Sequence, residues 1–224
     1  MKRSTLIILI GAFVFIALLV FSWVFVRISG ILNTYEITST ANEPSLLVGK
    51  NIFTSNKKDP KRFDFIAYKN DGITVLHRLC GLPGDTLQLI EGKLFVNNKP
   101  SLSIPTKHNY LITEVELDLL KSKYPEVSNE LITPQVSRYL ISLADNMAIE
   151  NGISNKRVIS KNGIREQYVG EQWNNDYNLD NFGPVIVPNE CYFVLGDNRH
   201  YSADSRYIGF VHKSKYVGTV IDTW

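Results

Sequence analysis

The chain has 224 residues, 44% of them hydrophobic and 21% charged, with a formal net charge of +2 at pH 7. That length allows one sizeable core plus an appended segment. The near-balanced charge removes any global electrostatic case for a nucleic-acid partner, and neither low complexity nor a repeat of roughly 20–50 residues is visible.

Thr5 to Val26 carry no charge and are dominated by Leu, Ile, Val and Phe. At about 1.5 Å per residue this stretch reaches roughly 33 Å, enough to cross a hydrocarbon core of about 30 Å. Lys2 and Arg3 precede it, Arg27 follows it, and Trp23 lies near its far end. That basic bias predicts residues 1–4 on the cytoplasmic side and residues 5–26 as a single span, and the long domain that follows can be translocated regardless of its charge. A cleaved secretory signal would have an apolar core of roughly 7–15 residues and a small-residue cleavage site. Arg27-Ile28-Ser29-Gly30-Ile31-Leu32 offers no such site, so a retained anchor in contact with membrane lipid is expected. The segment is apolar on every face, which argues against a buried helix of a soluble protein.

Beyond Thr34 the signals are mostly strand. Ile52–Thr54, Phe63–Tyr68 and Ile73–Leu76 are short β-branched and aromatic runs, separated by Asp59-Pro60, Asn70-Asp71-Gly72 and Leu82-Pro83-Gly84-Asp85. Thr86–Ile90 and Lys93–Val96 flank Glu91-Gly92 as a hairpin, and Asn97-Asn98 makes the next turn. Cys191–Leu195 and Tyr216–Ile221 are again strand-like. Between them, Ser101 to Phe182 reads as a mixed α/β insertion separating residues 27–100 from residues 183–224. Within it Glu114–Lys123 fits a short helix. Thr133-Pro134 fits a second helix start, with Val136, Leu140, Leu143 and Met147 at helical spacing and Gly152 as the stop. The expected fold is mainly β: antiparallel, coiled or partly closed sheets with one insertion.

Cys80 and Cys191 are too few for a disulfide scaffold; they read as buried small hydrophobes, or as one bridge if the domain lies outside the cytoplasm. The four histidines lack metal-ligand spacing and there is no CxxC pair, so neither metal nor cofactor is expected.

Three segments carry chemistry. Gly196-Asp197-Asn198-Arg199-His200-Tyr201-Ser202-Ala203-Asp204-Ser205-Arg206 has two turn formers, a serine and an acid–base pair in eleven residues. Upstream lie His77-Arg78-Leu79-Cys80-Gly81-Leu82-Pro83-Gly84-Asp85 and Ser39-Thr40-Ala41-Asn42-Glu43-Pro44-Ser45-Leu46. Taken singly, each reads as turns plus a structural ion pair. Together they resemble the GDNRxxSxDSR, KRVxGxPGD and SGSMxPTL boxes of type I signal peptidases, in the bacterial arrangement, in the same order and after an anchor. Trp173-Asn174 and Phe182 to Pro188 are similar to the approach to the last box.

The resemblance implies a membrane-bound serine endopeptidase that removes signal peptides from exported preproteins by a serine–lysine dyad, with its β domain on the outer side of the cytoplasmic (inner) membrane. The family's lysine must be neutral to accept a proton, which requires burial. A serine two residues before the nucleophile, with the nucleophile's own N–H, stabilises the oxyanion. By that resemblance Ser39 takes the oxyanion position, Ser202 supports the base, and Arg78, Asp204 and Arg206 are supporting charges, with Asp197 and Arg199 structural. Three positions depart. Ala41 occupies the nucleophile position, Asn42 follows it in place of methionine, and His77 occupies the base position. The endoplasmic-reticulum branch uses histidine there, and an imidazole needs no large shift to act near neutrality. Ala41 supplies no nucleophile, so impairment is expected. An alternative is a shifted nucleophile, Ser39 or Thr40, working with His77. In an extended segment Thr40 would face away from residue 41, and Ser39 would lie roughly 6–7 Å along the same face. Two non-catalytic readings also follow: a homologue that binds signal peptides through a retained cleft, and one that assembles with an active paralogue.

Overall fold

The computed structural model describes residues 3–101, 104–127, 129–133 and 138–224. It opens with α1 (Arg3–Ile28), whose 18-residue window of highest hydropathy averages 2.9 and is not buried against the rest of the chain. The strands that follow are β1 (Asn33–Glu36), β2 (Asn51–Ser55), β3 (Phe65–Asn70), β4 (Ile73–Gly81), β5 (Thr86–Ile90), β6 (Lys93–Val96) and β7 (Lys99–Pro100). Next come β8 (Lys107–Thr113), α2 (Glu114–Lys123), β9 (Asn129–Thr133), β10 (Arg138–Ala144), α3 (Asp145–Glu150) and α4 (Gln167–Trp173). The chain ends with β11 (Phe182–Ile186), β12 (Cys191–Leu195), α5 (Ser205–Ile208), β13 (Val211–His212) and β14 (Tyr216–Thr223).

These strands build three open sheets: β1-β2-β14-β3-β4-β12-β13, β11-β5-β6-β7 and β8-β10-β9. Every ladder between described strands is antiparallel, as the short strands and tight turns imply. The β5–β6 hairpin turns on Glu91 and Gly92 with φ of 49° and 72°, and Asn97 and Asn98 repeat that left-handed pair at 52° and 61°. Two successive positive φ values match the right-handed twist of the flanking strands. Strand β3 begins two residues later than its sequence suggests, because Phe63 takes φ 76° and Asp64 closes a turn onto Lys61.

The first and second sheets enclose a core of Leu87, Leu89, Phe182, Phe193 and Leu195, against which Trp173 of α4 packs edge-on to Phe182 and Phe210. The third sheet has its own cluster of Tyr110, Ile112, Leu117, Leu120, Ile141 and Leu143. Helix α2 falls where expected. Thr113 caps it in a reciprocal box with Glu116, which satisfies two otherwise orphan N–H groups.

The helix expected from Thr133 to Gly152 is not formed over its first part. Thr133 ends β9, and Arg138–Ala144 is a strand paired with β8 from Arg138↔Thr113 to Ala144↔Lys107. Pro134 and Val136 lie outside the described residues. The helical spacing of Leu140, Leu143 and Met147 was fortuitous. Burial alternates along this part of the strand, half-buried Leu140 and Ser142 taking turns with Ile141 and Leu143 at 1% and 2% exposure. Cross-strand partners on both sides satisfy the backbone, and a helix starts only at Asp145. Gly152, at φ 69°, ends it as expected.

Candidate active site

His77 lies in β4, opposite Ile66 of β3. Tyr68, two residues along β3, is therefore its diagonal neighbour on the same face, within reach of an aromatic side chain. The phenol oxygen is 2.8 Å from His77 Nδ1, and Ser202 Oγ is 3.1 Å from Nε2. His77 is 2% exposed. Burial pushes its imidazole down to about 4, against the pull of Asp204, which favours the charged form. The ring is thus neutral near pH 7.

Ser202 is held by the loop between β12 and α5. Gly196 donates its N–H to Asp204 Oδ2 at 3.0 Å. A Cβ at Gly196 would stand 2.2 Å from Ser202 Oγ and 2.5 Å from the Ala41 carbonyl oxygen, so only glycine lets these two segments meet. Asp204 caps α5 and pairs with Arg206 at 2.7 Å, both fully buried. Burial pushes the Asp204 carboxyl up, but Arg206 beside it more than offsets that and holds it below the usual carboxylate range. Arg206 also donates to the carbonyls of Leu179 at 2.9 Å and Arg199 at 2.6 Å, and Trp173 Nε1 donates to the Arg206 carbonyl at 2.8 Å. Arg78, next to His77, forks onto Asp197 at 2.7 and 2.5 Å, donates to the Phe63 carbonyl, and covers the Phe65 ring at 4.1 Å.

Across from this frame, residues 39–42 are not extended, contrary to the sequence reading. Only Ser39 is, at φ −129° and ψ 144°; Thr40–Asn42 form one 3-10 turn. The Ser39 side chain has turned back to cap it, accepting the Ala41 N–H at 3.2 Å. The turn is pinned from below. Asn198 donates its N–H to the Ala41 carbonyl at 3.0 Å and its side-chain amide to the Thr40 carbonyl at 3.2 Å. Asn42 donates to the Leu76 carbonyl at 2.7 Å, tying the turn to the residue beside His77.

A cleft of about 520 Å³ opens here, lined by Ser39, Ala41, Asn42, His77, Tyr201 and Ala203 among others. Ser39, Ala41, His77 and Ser202, far apart in sequence, therefore meet at one place: the first three line the cleft, and Ser202 lies behind His77 at 5% exposure. Arg78, Asp204 and Arg206 sit under it. At residue 41 the cleft offers only a methyl group; Ser39 and Thr40, which carry the nearest hydroxyls along the chain, are exposed residues. Ser39 accepts from Ala41 and keeps its own O–H to donate. Sequence reading missed Tyr68 and the link from Ser45 to Arg78 and Asp197. A strand register of β3 against β4 would have been needed to find Tyr68.

Among the described residues, no group of three or more His, Cys, Asp or Glu could hold a metal ion. Both cysteines are free; Cys80 is fully buried, and burial pushes its thiol up to about 12.

A family model described as signal peptidase, peptidase S26, matches residues 6–224. The signal peptidase I of Buchnera aphidicola subsp. Schizaphis graminum is 29% identical, covering 90% of this chain and 70% of its own length. That of Aquifex aeolicus is 28% identical over 90% of this chain and 78% of its own length. A crystal structure of a signal peptidase I from Enterococcus faecalis V583 is 28% identical, covers 73% of this chain and 98% of its own, and superposes with a TM-score of 0.38.

Proposed function

This chain belongs to the peptidase S26 signal peptidase family, and from that premise we propose that it is a membrane-anchored member that seats signal peptides of exported preproteins in the Ser39–His77 cleft without efficient cleavage. One observation carries the reading: the residue at the nucleophile position is Ala41, in a cleft whose other parts are assembled. Acyl transfer needs an oxygen or sulfur against the scissile carbonyl, and a methyl group offers neither. In subtilisin, loss of the nucleophile costs about 10⁶ in kcat. Oxyanion donors alone would not sustain export.

The supporting residues have defined tasks. Ser39 keeps an O–H for a carbonyl oxygen once the peptide is seated. Asp204 and Arg206 hold the loop that carries Ser202, and Ser202 holds His77. Arg78, paired with Asp197, fixes β4 against that loop. Helix α1 is the single-pass anchor, long and apolar enough to span a bilayer. With Lys2 and Arg3 at its start, the N-terminus lies in the cytoplasm and the sheets lie outside. Lipid and signal peptides are then the natural partners, and an active paralogue would perform the cleavage this chain does not.

The test is incubation of the purified full chain, in detergent, with a preprotein, beside Ala41→Ser and Ala41→Ser combined with His77→Lys. The unmodified chain should retain signal-peptide binding with cleavage at background, and the double variant should cleave. Cleavage by the unmodified chain that is lost in Ser39→Ala or Thr40→Ala would overturn the reading and identify a relocated nucleophile.

A further inference from the structure

We infer that Tyr68 is a positioning residue that holds His77 in the tautomer protonated at Nε2, leaving neither ring nitrogen with a free lone pair for a nucleophile in the cleft. The inference deepens the proposed function, because it concerns the residue assigned there to the base position.

A neutral imidazole has one N–H and one lone pair. In this chain each ring nitrogen faces one hydroxyl, Tyr68 OH at 2.8 Å from Nδ1 and Ser202 Oγ at 3.1 Å from Nε2. Burial keeps the ring neutral, so two arrangements compete. In the first, Tyr68 donates to Nδ1, and Nε2–H donates to Ser202. In the second, Ser202 donates to Nε2, and Nδ1–H donates to Tyr68. Each leaves one hydroxyl hydrogen over, and the leftover decides between them.

In the second arrangement the leftover belongs to Tyr68, which is fully buried and whose hydroxyl has no other hydrogen-bond partner among the described residues. Its phenol is also the better donor and the poorer acceptor, because the oxygen lone pair is delocalised into the ring. In the first arrangement the leftover belongs to Ser202. That hydroxyl is a rotor which likewise has no partner besides His77 among the described residues, but Ser202 keeps 5% exposure where Tyr68 has none. An orphan buried donor carries the full desolvation cost, so the arrangement that strands the serine rotor wins over the one that strands the phenol.

Asp204 and Asp197, paired with Arg206 and Arg78, favour the charged ring and Arg206 opposes it, but burial outweighs them and keeps it neutral. The consequence is chemical. A serine restored at position 41 would meet a histidine whose Nδ1 lone pair is taken by Tyr68 and whose Nε2 already bears a proton. The lack of a hydroxyl at residue 41 and the closure of His77 are therefore two separate departures, and repairing the first alone does not recover general-base catalysis, which is worth about 10²–10⁴-fold.

The test reads the tautomer directly. Full-length protein labelled with ¹⁵N at histidine is studied in detergent micelles near pH 7, with His77 assigned by its loss in His77→Gln. A protonated Nε2 and a bare Nδ1 are expected, and in Tyr68→Phe the Nδ1 resonance should shift while Nε2 stays protonated. A spectrum with the proton on Nδ1 overturns the inference; Ser202 would then donate into Nε2 as an activated serine–histidine pair. An Nδ1 resonance unmoved in Tyr68→Phe overturns it too. In the cleavage assay, Ala41→Ser should lag Ala41→Ser/His77→Lys by about a hundredfold or more, and equal rates would overturn it. Absence of cleavage by both variants would count against the signal-peptidase reading, whereas the spectrum decides the tautomer independently.

Discussion

The two sides of the cleft are built differently. The His77 side is a closed, buried network: Asp204 and Arg206 fully buried and paired, Ser202 and Tyr68 each on one ring nitrogen, Gly196 allowing the approach. The Ala41 side is one short turn with Ser39 and Thr40 exposed and Ala41 and Asn42 buried, pinned by the backbone and side-chain amides of Asn198, by Asn42 on Leu76 and by its own Ser39 cap. A side-chain methyl at residue 41 touches none of the bonds that hold the first side, whereas each member of the first is held by the others. This asymmetry shows why alanine at residue 41 is compatible with an assembled frame opposite it.

The sharpest way to break the comparison is Arg206→Ala. It leaves Asp204 charged and unpaired in a fully buried place, and should destabilise the chain by about 3–5 kcal/mol; a denaturant midpoint close to the unmodified chain's would show the network to be dispensable. Acid should act next. His77 and His108 are both held down to about 4 by burial, so the unfolded chain, with ordinary values near 6.5, binds their protons more tightly. Stability is complete above about pH 6.5 and should fall as pH drops from there toward 4, by on the order of 3 kcal/mol for each histidine. Asp145 and Asp180, held to about 2 against the opposing effect of burial by hydrogen bonds that include His108 and His200 respectively, lose their contribution only below the usual carboxylate range. Thermal melts at pH 7, 5.5 and 4 would follow the histidine window and a further melt near pH 2.5 the carboxylate window, and a flat profile between pH 7 and 4 would contradict the buried neutral histidines.

Gly196→Ala comes third. Its methyl group would meet Ser202 and the Ala41 carbonyl, and about 1–3 kcal/mol of strain is expected, together with a weakened Ser202–His77 bond visible in the His77 ¹⁵N spectrum. The smallest effect is predicted on the other side. Ala41→Ser should change stability by less than about 1 kcal/mol, since it adds one oxygen in a cleft wall at 8% exposure. A large loss there would mean that the turn is as tightly built as the frame opposite.

Much of the site was legible because its chemistry is concentrated in short segments. Gly196 to Arg206 supplies Ser202, Asp204 and Arg206 within eleven positions, and a glycine, a cap and an ion pair mean the same thing locally as in the fold. Tyr68 was not legible. Its partner is set by the register of β3 on β4, and a shift of one residue would turn its side chain to the other face. The Ser39 cap was missed for a related reason: a serine before a short turn can satisfy that turn's own N–H, and nothing in the linear pattern distinguishes this from a serine in a strand.

The sequence by itself determined the apolar stretch of α1, the strands and hairpin turns on either side of Glu91-Gly92, the end of α3 at Gly152, and that residue 41 carries no hydroxyl. Each depends on local composition: an uncharged run, a pair of residues that tolerate positive φ, a side chain that has no oxygen. Tertiary structure decided the rest. It made Arg138–Ala144 a strand, because two neighbouring strands satisfy its backbone and bury Ile141 and Leu143 on one side, whatever helical spacing the leucines suggest. It also decided what His77 touches. A buried ring takes its protonation and tautomer from the hydroxyls and charges packed around it, and those come from Tyr68 on one strand and from Ser202 and Asp204 on a loop more than 130 residues further along the chain.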